Sequence, residues 1–341
     1  MSTLKARLGL LLVCLLGAPL TARAQHAYVS NEDGRSVSVI DLESGRVEHT
    51  IEVGKRPRGI KLSEDGRTLY VALSGLPKCP PSVPDAACAK LKHDVAADGI
   101  AMVDTESLKV VRVLKAGSDP EQFDVSREGR YLYVANEDAG ALSVVDTRQG
   151  TIVTRIPVGH EPEGVRLSPD GEWVSVTSET DNQVSVISAH LLQVMYVAKV
   201  GTRPRDLAYT PDGKLAFITC ELDGSVYRMG FPQPNGPAPL IKLPHPLDRP
   251  MGIVLDPRRR LMYVSTGRGG NIAVIDDERG RLIAEVPVGA RPWGIALTRN
   301  GRLLLSANGP SNDVSVLDTL SLKVLRRIPV GRSPWGVVIG P

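Results

Sequence analysis

Seven prolines recur along the chain, and the residues that follow them are Arg58, Glu121, Glu163, Arg205, Met251, Trp293 and Trp335. Charge and indole dominate this set. Guanidinium groups grip carboxylates and phosphates with a rigid fork of donors, indole faces attract cations, and paired carboxylates can act as general acid and base. A second set, Glu32, Glu137, Glu179 and Glu221, holds matching positions in four of the repeating units. If these acids gather with Glu121 and Glu163, the surface there is locally acidic and favours a cation, an amine or a basic partner. Solvated acids in polar turns would read the same way. The two tryptophans likewise read either as a ligand-facing wall or as packing between neighbouring strands.

Linear catalytic signatures are lacking. His93, His160 and His245 are the weak metal candidates, but they belong to different units and no HExxH or other tight ligand spacing occurs. The GxxxxG runs, such as Gly159 to Gly164, continue with Val165 where a phosphate loop needs lysine. No GxSxG elbow is present. A site would have to be assembled from several units, which no linear motif reveals. Cys79 and Cys88 lie close together in "KCPPSVPDAACAK" and are expected to pair; closing so short a loop contributes about 2.5 kcal/mol by chain entropy. Cys220 is left single and reads as a small apolar residue at a strand end.

The elements that must position these residues follow from the period. The prolines, Pro57, Pro120, Pro162, Pro204, Pro250, Pro292 and Pro334, are spaced by 63, 42, 42, 46, 42 and 42 residues. A phrase of the "VSVID" kind keeps step with them. Such a fixed period signals a solenoid or propeller. Within "PEGVRLSPDGEWVSVTSETDNQVSVISAHLLQVMYVAKVG" four β-rich runs alternate Val and Ile with polar residues, broken by "PDG" and "ETDN". The expectation is an all-β, seven-bladed β-propeller with four antiparallel strands per blade, lettered A to D from the axis outward.

The chain opens on strands B, C and D ("HAYVSN", "VSVID", "VEHTIEV") and closes on a lone strand A, "PWGVVIG". Each would be an unpaired edge by itself; together they complete the last blade. Alternating strand directions put the D-to-A and B-to-C links on one face. The residues after the repeat prolines then become the rim of a central funnel, and closure sets Arg58 beside Trp335 as a cation–π pair. An insertion at 74–98 replaces one B-to-C link and is expected to be a lid or a docking edge on that face.

Residues 1–24 read as a cleaved secretory leader: Lys5 and Arg7, the apolar run Leu8 to Leu16, and Ala22-Arg23-Ala24 before Gln25. Residues 25–341 are then one propeller domain, expected in the periplasm with no membrane insertion. Without the leader's Lys5, Arg7 and Arg23, 38 basic residues face 38 acidic ones. The basic surplus that nucleic-acid binding normally shows is missing.

"LYVANEDAGALSVVDTRQGTIVTRIPVG" resembles the YVTN-type β-propeller repeat, and the resemblance runs through the whole mature chain. "GSDPEQF", "VGHEPEGVRLSPDG", "SNDVSVLDTLSLKV" and "VGRSPWGVV" further resemble the seven-repeat exported propellers associated with pyrroloquinoline quinone (PQQ)-dependent alcohol catabolism. The insertion and the irregular "GFPQPNGPAPLIKLPHPLDRP" depart from that pattern. The leading expectation is a non-enzymatic propeller, without a cofactor of its own, that binds a small molecule or a periplasmic protein on its loop-rich face. The resemblance implies that the partner is a PQQ-dependent dehydrogenase or its transporter. Because seven-bladed lactonases share the architecture, the alternative is a lactonase-type hydrolase with its site in the funnel.

Overall fold

In the computed structural model, which describes residues 25–78, 90–233 and 235–340, each repeat folds into a four-stranded antiparallel sheet. One unit shows why. Its strands are Pro162–Leu167, Trp173–Ser178, Gln183–Ser188 and Gln193–Lys199, from axis to rim. Val174, Val176, Val184 and Val186 are fully buried because the middle strands have a neighbouring blade on each face. The outer strand keeps only Ala198 buried and exposes Met195 and Val197. The A-to-B turn "SPDG" sets Gly171 at φ +82°, where a side chain would be strained, and the Ser168 hydroxyl accepts the Trp173 N–H at 3.0 Å.

Seven such sheets surround the axis. Strand Pro334–Ile339 pairs antiparallel with His26–Asn31, with Tyr28 opposite Val338 and Val29 opposite Val337. Ser36–Asp41 and Arg46–Glu52 complete that blade, so the two chain ends close the ring as the repeat requires. Tyr28 and Val39 pack with Leu69 and Val71 on one side, and Ala27 and Val29 with Leu305 and Ala307 on the other. His26–Asn31 thereby becomes an interior strand bonded on both sides, and Pro334–Ile339 takes the axial position that strand A holds in every blade.

The inner strands crowd together at the axis. A Cβ on Gly164 would lie 2.3 Å from the Arg205 carbonyl, so the second position after the repeat proline is glycine in most blades. Strand-B hydroxyls stitch each blade to the next. Ser30 donates to the Arg58 carbonyl at 2.6 Å, Thr177 to Arg205 at 3.0 Å, Thr219 to Met251 at 2.6 Å and Ser265 to Trp293 at 2.6 Å. Every one of these acceptors is a residue singled out by the repeat, so the neighbouring blade fixes its backbone. Among the described residues no helix is long and apolar enough to cross a membrane.

Candidate active site

The seven residues after the repeat prolines converge on the axis, but they plug it. Arg58, Glu121, Glu163, Arg205, Met251 and Trp335 are buried, and Trp293 is half-buried. Trp293 and Trp335 lie against each other with ring centroids 5.3 Å apart. The expected Arg58–Trp335 pair does not form. Arg58 reaches instead into the acids of the next blade, bonding Asp119 at 2.6 Å, Glu121, and Glu137 at 3.3 Å. Charge-assisted bonds of about 1.5–3 kcal/mol outweigh a cation–π contact of about 0.5–1 kcal/mol. Among the described residues, the cations over an indole are Arg205 and Arg291, 5.3 and 5.0 Å from the Trp293 centroid.

The B-to-C acids do gather here, because their backbone N–H groups bond the residue before each repeat proline. Glu32 donates to Ser333, Glu137 to Asp119, Glu179 to Glu161 and Glu221 to Arg203. A bare acidic face does not result. Glu32 pairs with Arg56 at 3.1 Å and with Lys78 at 2.6 Å. Arg205 binds Glu163, Glu179 and Glu221 together, and Arg203 adds a bond of 2.5 Å to Glu179. Burial and the adjacent Glu163 charge push the Glu179 carboxyl up to about 10, so it holds a proton at neutral pH. Burial also opposes ionisation of Glu163, but Arg205 and the hydrogen bond with Glu179 prevail and hold it below the ordinary glutamate range. In the Arg58 cluster burial raises both Glu121 and Glu137.

The three histidines named as metal candidates have separate partners. His93 lies 2.8 Å from Asp98, and His160 lies 3.1 Å from Asp181. The His245 ring accepts the Leu247 N–H at 3.3 Å. None of them belongs to a converging ligand group among the described residues. The described ends of the insertion rest on the plugged face: Lys78 touches Glu32, and Asp94 bonds Lys55 at 2.6 Å. Cys79 and Cys88 lie outside the described residues; Cys220 is a free thiol at a strand end, buried and with its pKa raised by that burial.

Beneath the plug runs an open cavity of about 640 Å³, walled by the inner strands down to Pro169, Pro211 and Pro257 in the A-to-B turns. Its two halves differ. Met251, Val254, Trp293, Ala296, Trp335 and Val338 make one side apolar, whereas Lys61, Gln122, Glu163, Arg166, Arg205 and Asp206 line the other. Within the polar half, cations and carboxylates alternate from blade to blade. Lys61 lies 3.4 Å from Asp124, and Arg166 lies 2.8 Å from Asp206. Asp124 also accepts the Leu167 N–H at 2.8 Å. Burial raises Asp206, and the Arg166 charge only partly offsets it. Burial and the nearby Arg166 charge lower the Lys61 ammonium. Burial thus works against the charged form of both groups.

The sequence carried a signal for this second tier. Asp206 stands where five sister strands have glycine, and the fourth position after the proline is Lys61, Asp124 and Arg166 in three successive units but Ala208, Val254, Ala296 and Val338 in the others. The second and fourth positions lie two residues apart on the inner strand and share one face, and Asp206, Lys61 and Arg166 all line the axial cavity.

A ring of seven sheets with an axial cavity carrying paired charges defines a seven-bladed propeller with a hub site. Residues 19–154 and 188–321 match the family described as "Lactonase, 7-bladed beta-propeller", and the chain belongs to that family. Residues 93–216 also match the "Cytochrome D1 heme domain". Among curated proteins, Antigen Lp49 of Leptospira interrogans serogroup Icterohaemorrhagiae serovar copenhageni (strain Fiocruz L1-130) is 32% identical over 109 residues. That match spans 32% of this chain and 22% of the relative. Among solved structures, hydrazine synthase of Kuenenia stuttgartiensis superposes with a TM-score of 0.72 at 23% identity, covering 86% of this chain and 92% of that one. A putative 6-phosphogluconolactonase from Bacteroides fragilis NCTC 9343 gives 0.74 at 18% identity, covering 95% and 100%. The family match overturns the expectation of a non-enzymatic binding propeller and favours the hydrolase alternative.

Proposed function

We propose that the protein is a lactonase-type hydrolase whose reaction takes place in the hub cavity. The observation that carries this reading is the Asp206–Arg166 pair beside Lys61, placed in that cavity at positions that most sister blades fill with glycine or small apolar residues. The raised Asp206 carboxylate removes a proton from a water molecule as the water oxygen attacks the lactone carbonyl. Arg166 holds Asp206 in place, and it and Lys61 offset the charge that develops on the carbonyl oxygen. Collapse breaks the ring C–O bond, and Asp206 returns its proton to the departing alkoxide. The product is the open hydroxy acid. A putative 6-phosphogluconolactonase among the structural neighbours makes sugar lactones and their phosphate esters the first substrates to try.

Asp206→Asn keeps the shape and removes the base. Lactone opening, followed by proton release in weak buffer, is expected to slow by about 100-fold or more. A variant that retains the wild-type rate refutes the assignment. Export with loss of residues 1–24, leaving a single domain 25–341, belongs to the same proposal and rests on the leader's composition. N-terminal sequencing of periplasmic material tests it. The link to PQQ-dependent alcohol oxidation, with a dehydrogenase or transporter as partner, rests on the quoted motifs alone.

A further inference from the structure

The closing blade departs from its sisters at two positions together. Where its second strand begins, it has His26; the other six blades have Thr68, Tyr131, Trp173, Leu215, Leu261 and Leu303, with no imidazole or carboxylate. In every blade a β-bulge between strands C and D leaves one strand-D residue unpaired. Here that residue is Glu48, between the pairs Ile40–Val47 and Val39–His49. In the sisters it is Val111, Val153, Met195, Leu240, Ile283 or Leu325, all apolar. Both exceptions meet in space. His26 Nε2 lies 3.2 Å from Glu48 Oε2, and the ligand atoms of His26, Glu48 and the buried Asp41 all fall within 4.8 Å of one another. Asp41 sits opposite His26 across the strand pair.

We infer that His26, Asp41 and Glu48 form a binding site for a divalent transition ion of the zinc type, distinct from the hub. One neutral imidazole and two carboxylates balance the charge of such an ion. With metal–ligand bonds of about 2.0–2.1 Å, neighbouring ligand atoms of a tetrahedron lie about 3.4 Å apart, close to the spacing of the His26–Glu48 pair. The Ser44 N–H bonds Asp41 Oδ1 at 2.5 Å, which orients the carboxylate and leaves its other oxygen for the ion. His26 and Glu48 border a hollow of about 300 Å³ between the closing blade and the next, lined also by His49 and Asp65, which leaves room for a fourth ligand or water. His26, Asp41 and Glu48 come from the three N-terminal strands of the closing blade. The ion would clasp them at the point where the ring is sealed.

The test uses the full chain stripped with chelator and titrated calorimetrically with zinc chloride, with thermal melting in parallel. The wild type is expected to bind one zinc per chain at micromolar Kd or tighter, with a rise of several degrees in Tm and a far weaker response to magnesium. Glu48→Gln, a change at a half-exposed side chain, should weaken binding at least tenfold without altering the metal-free melting temperature; His26→Ala with Glu48→Gln should abolish it. A wild type that binds no zinc overturns the inference. Unchanged affinity in Glu48→Gln overturns it too, by placing the ion at another histidine–carboxylate pair such as His160–Asp181.

Discussion

Replacing Glu179 by Gln should make the protein more stable at neutral pH and less so in acid. Glu179 is buried against Glu163 and Arg205, and its pKa rises from 4.5 to about 10 on folding. Above pH 4.5 the unfolded chain has lost this proton while the folded protein retains it, so folding must take a proton up. The contribution is therefore full below pH 4.5 and falls by about 1.4 kcal/mol per pH unit as pH rises toward 10. At pH 7 the penalty is about 3 kcal/mol. Gln copies the protonated group, donating to Glu163 and accepting from Arg205, and escapes the penalty. Its amide cannot also accept from Arg203, which costs about 1 kcal/mol for a partly exposed donor. The balance is a gain of about 2 kcal/mol at pH 7, more at pH 8.5, and a loss of about 1 kcal/mol at pH 4.5. Urea denaturation at those three pH values measures it. A variant less stable than wild type at pH 8.5, or a difference that does not change with pH, refutes the protonated Glu179.

Two other outcomes follow from the packing. Gly164→Ala forces a methyl to within 2.3 Å of the Arg205 carbonyl, so the inner strands must separate; denaturant melts should show a loss of about 1–3 kcal/mol, and an unchanged midpoint would show that the axis is not tightly packed. Ending the chain at Ser333 removes buried Trp335 and Val337 and bares the His26–Asn31 edge. Losing side chains worth about 2–5 kcal/mol each should abolish the cooperative melt and promote aggregation; a monomer that still melts sharply would refute ring closure as the main source of stability.

Much of the architecture was legible because repetition writes it many times. The intervals between Pro57 and Pro334, the four β-rich runs per unit and the truncated last unit sufficed for blade number, strand order and the pairing of the chain's two ends. The convergence of Arg58, Glu121, Glu163, Arg205, Met251, Trp293 and Trp335 also followed from register. What they do there did not. Arg58 could have lain on Trp335 or among acids, and only packed distances show that Asp119, Glu121 and Glu137 take it. Lys61, Arg166 and Asp206 break the repeat in the sequence, but that they share one cavity depends on which side chains three separate blades bring to the axis.

Local alternation, turn residues and period act along the chain, so they alone specify a seven-bladed ring closed by its own ends. Which charges pair, where the axis is blocked and where it is hollow depend on side chains from neighbouring blades, about 40 to 60 residues apart, meeting at distances of a few ångströms. Coulombic and packing energies change steeply over those distances, so these features emerge only when the blades pack together.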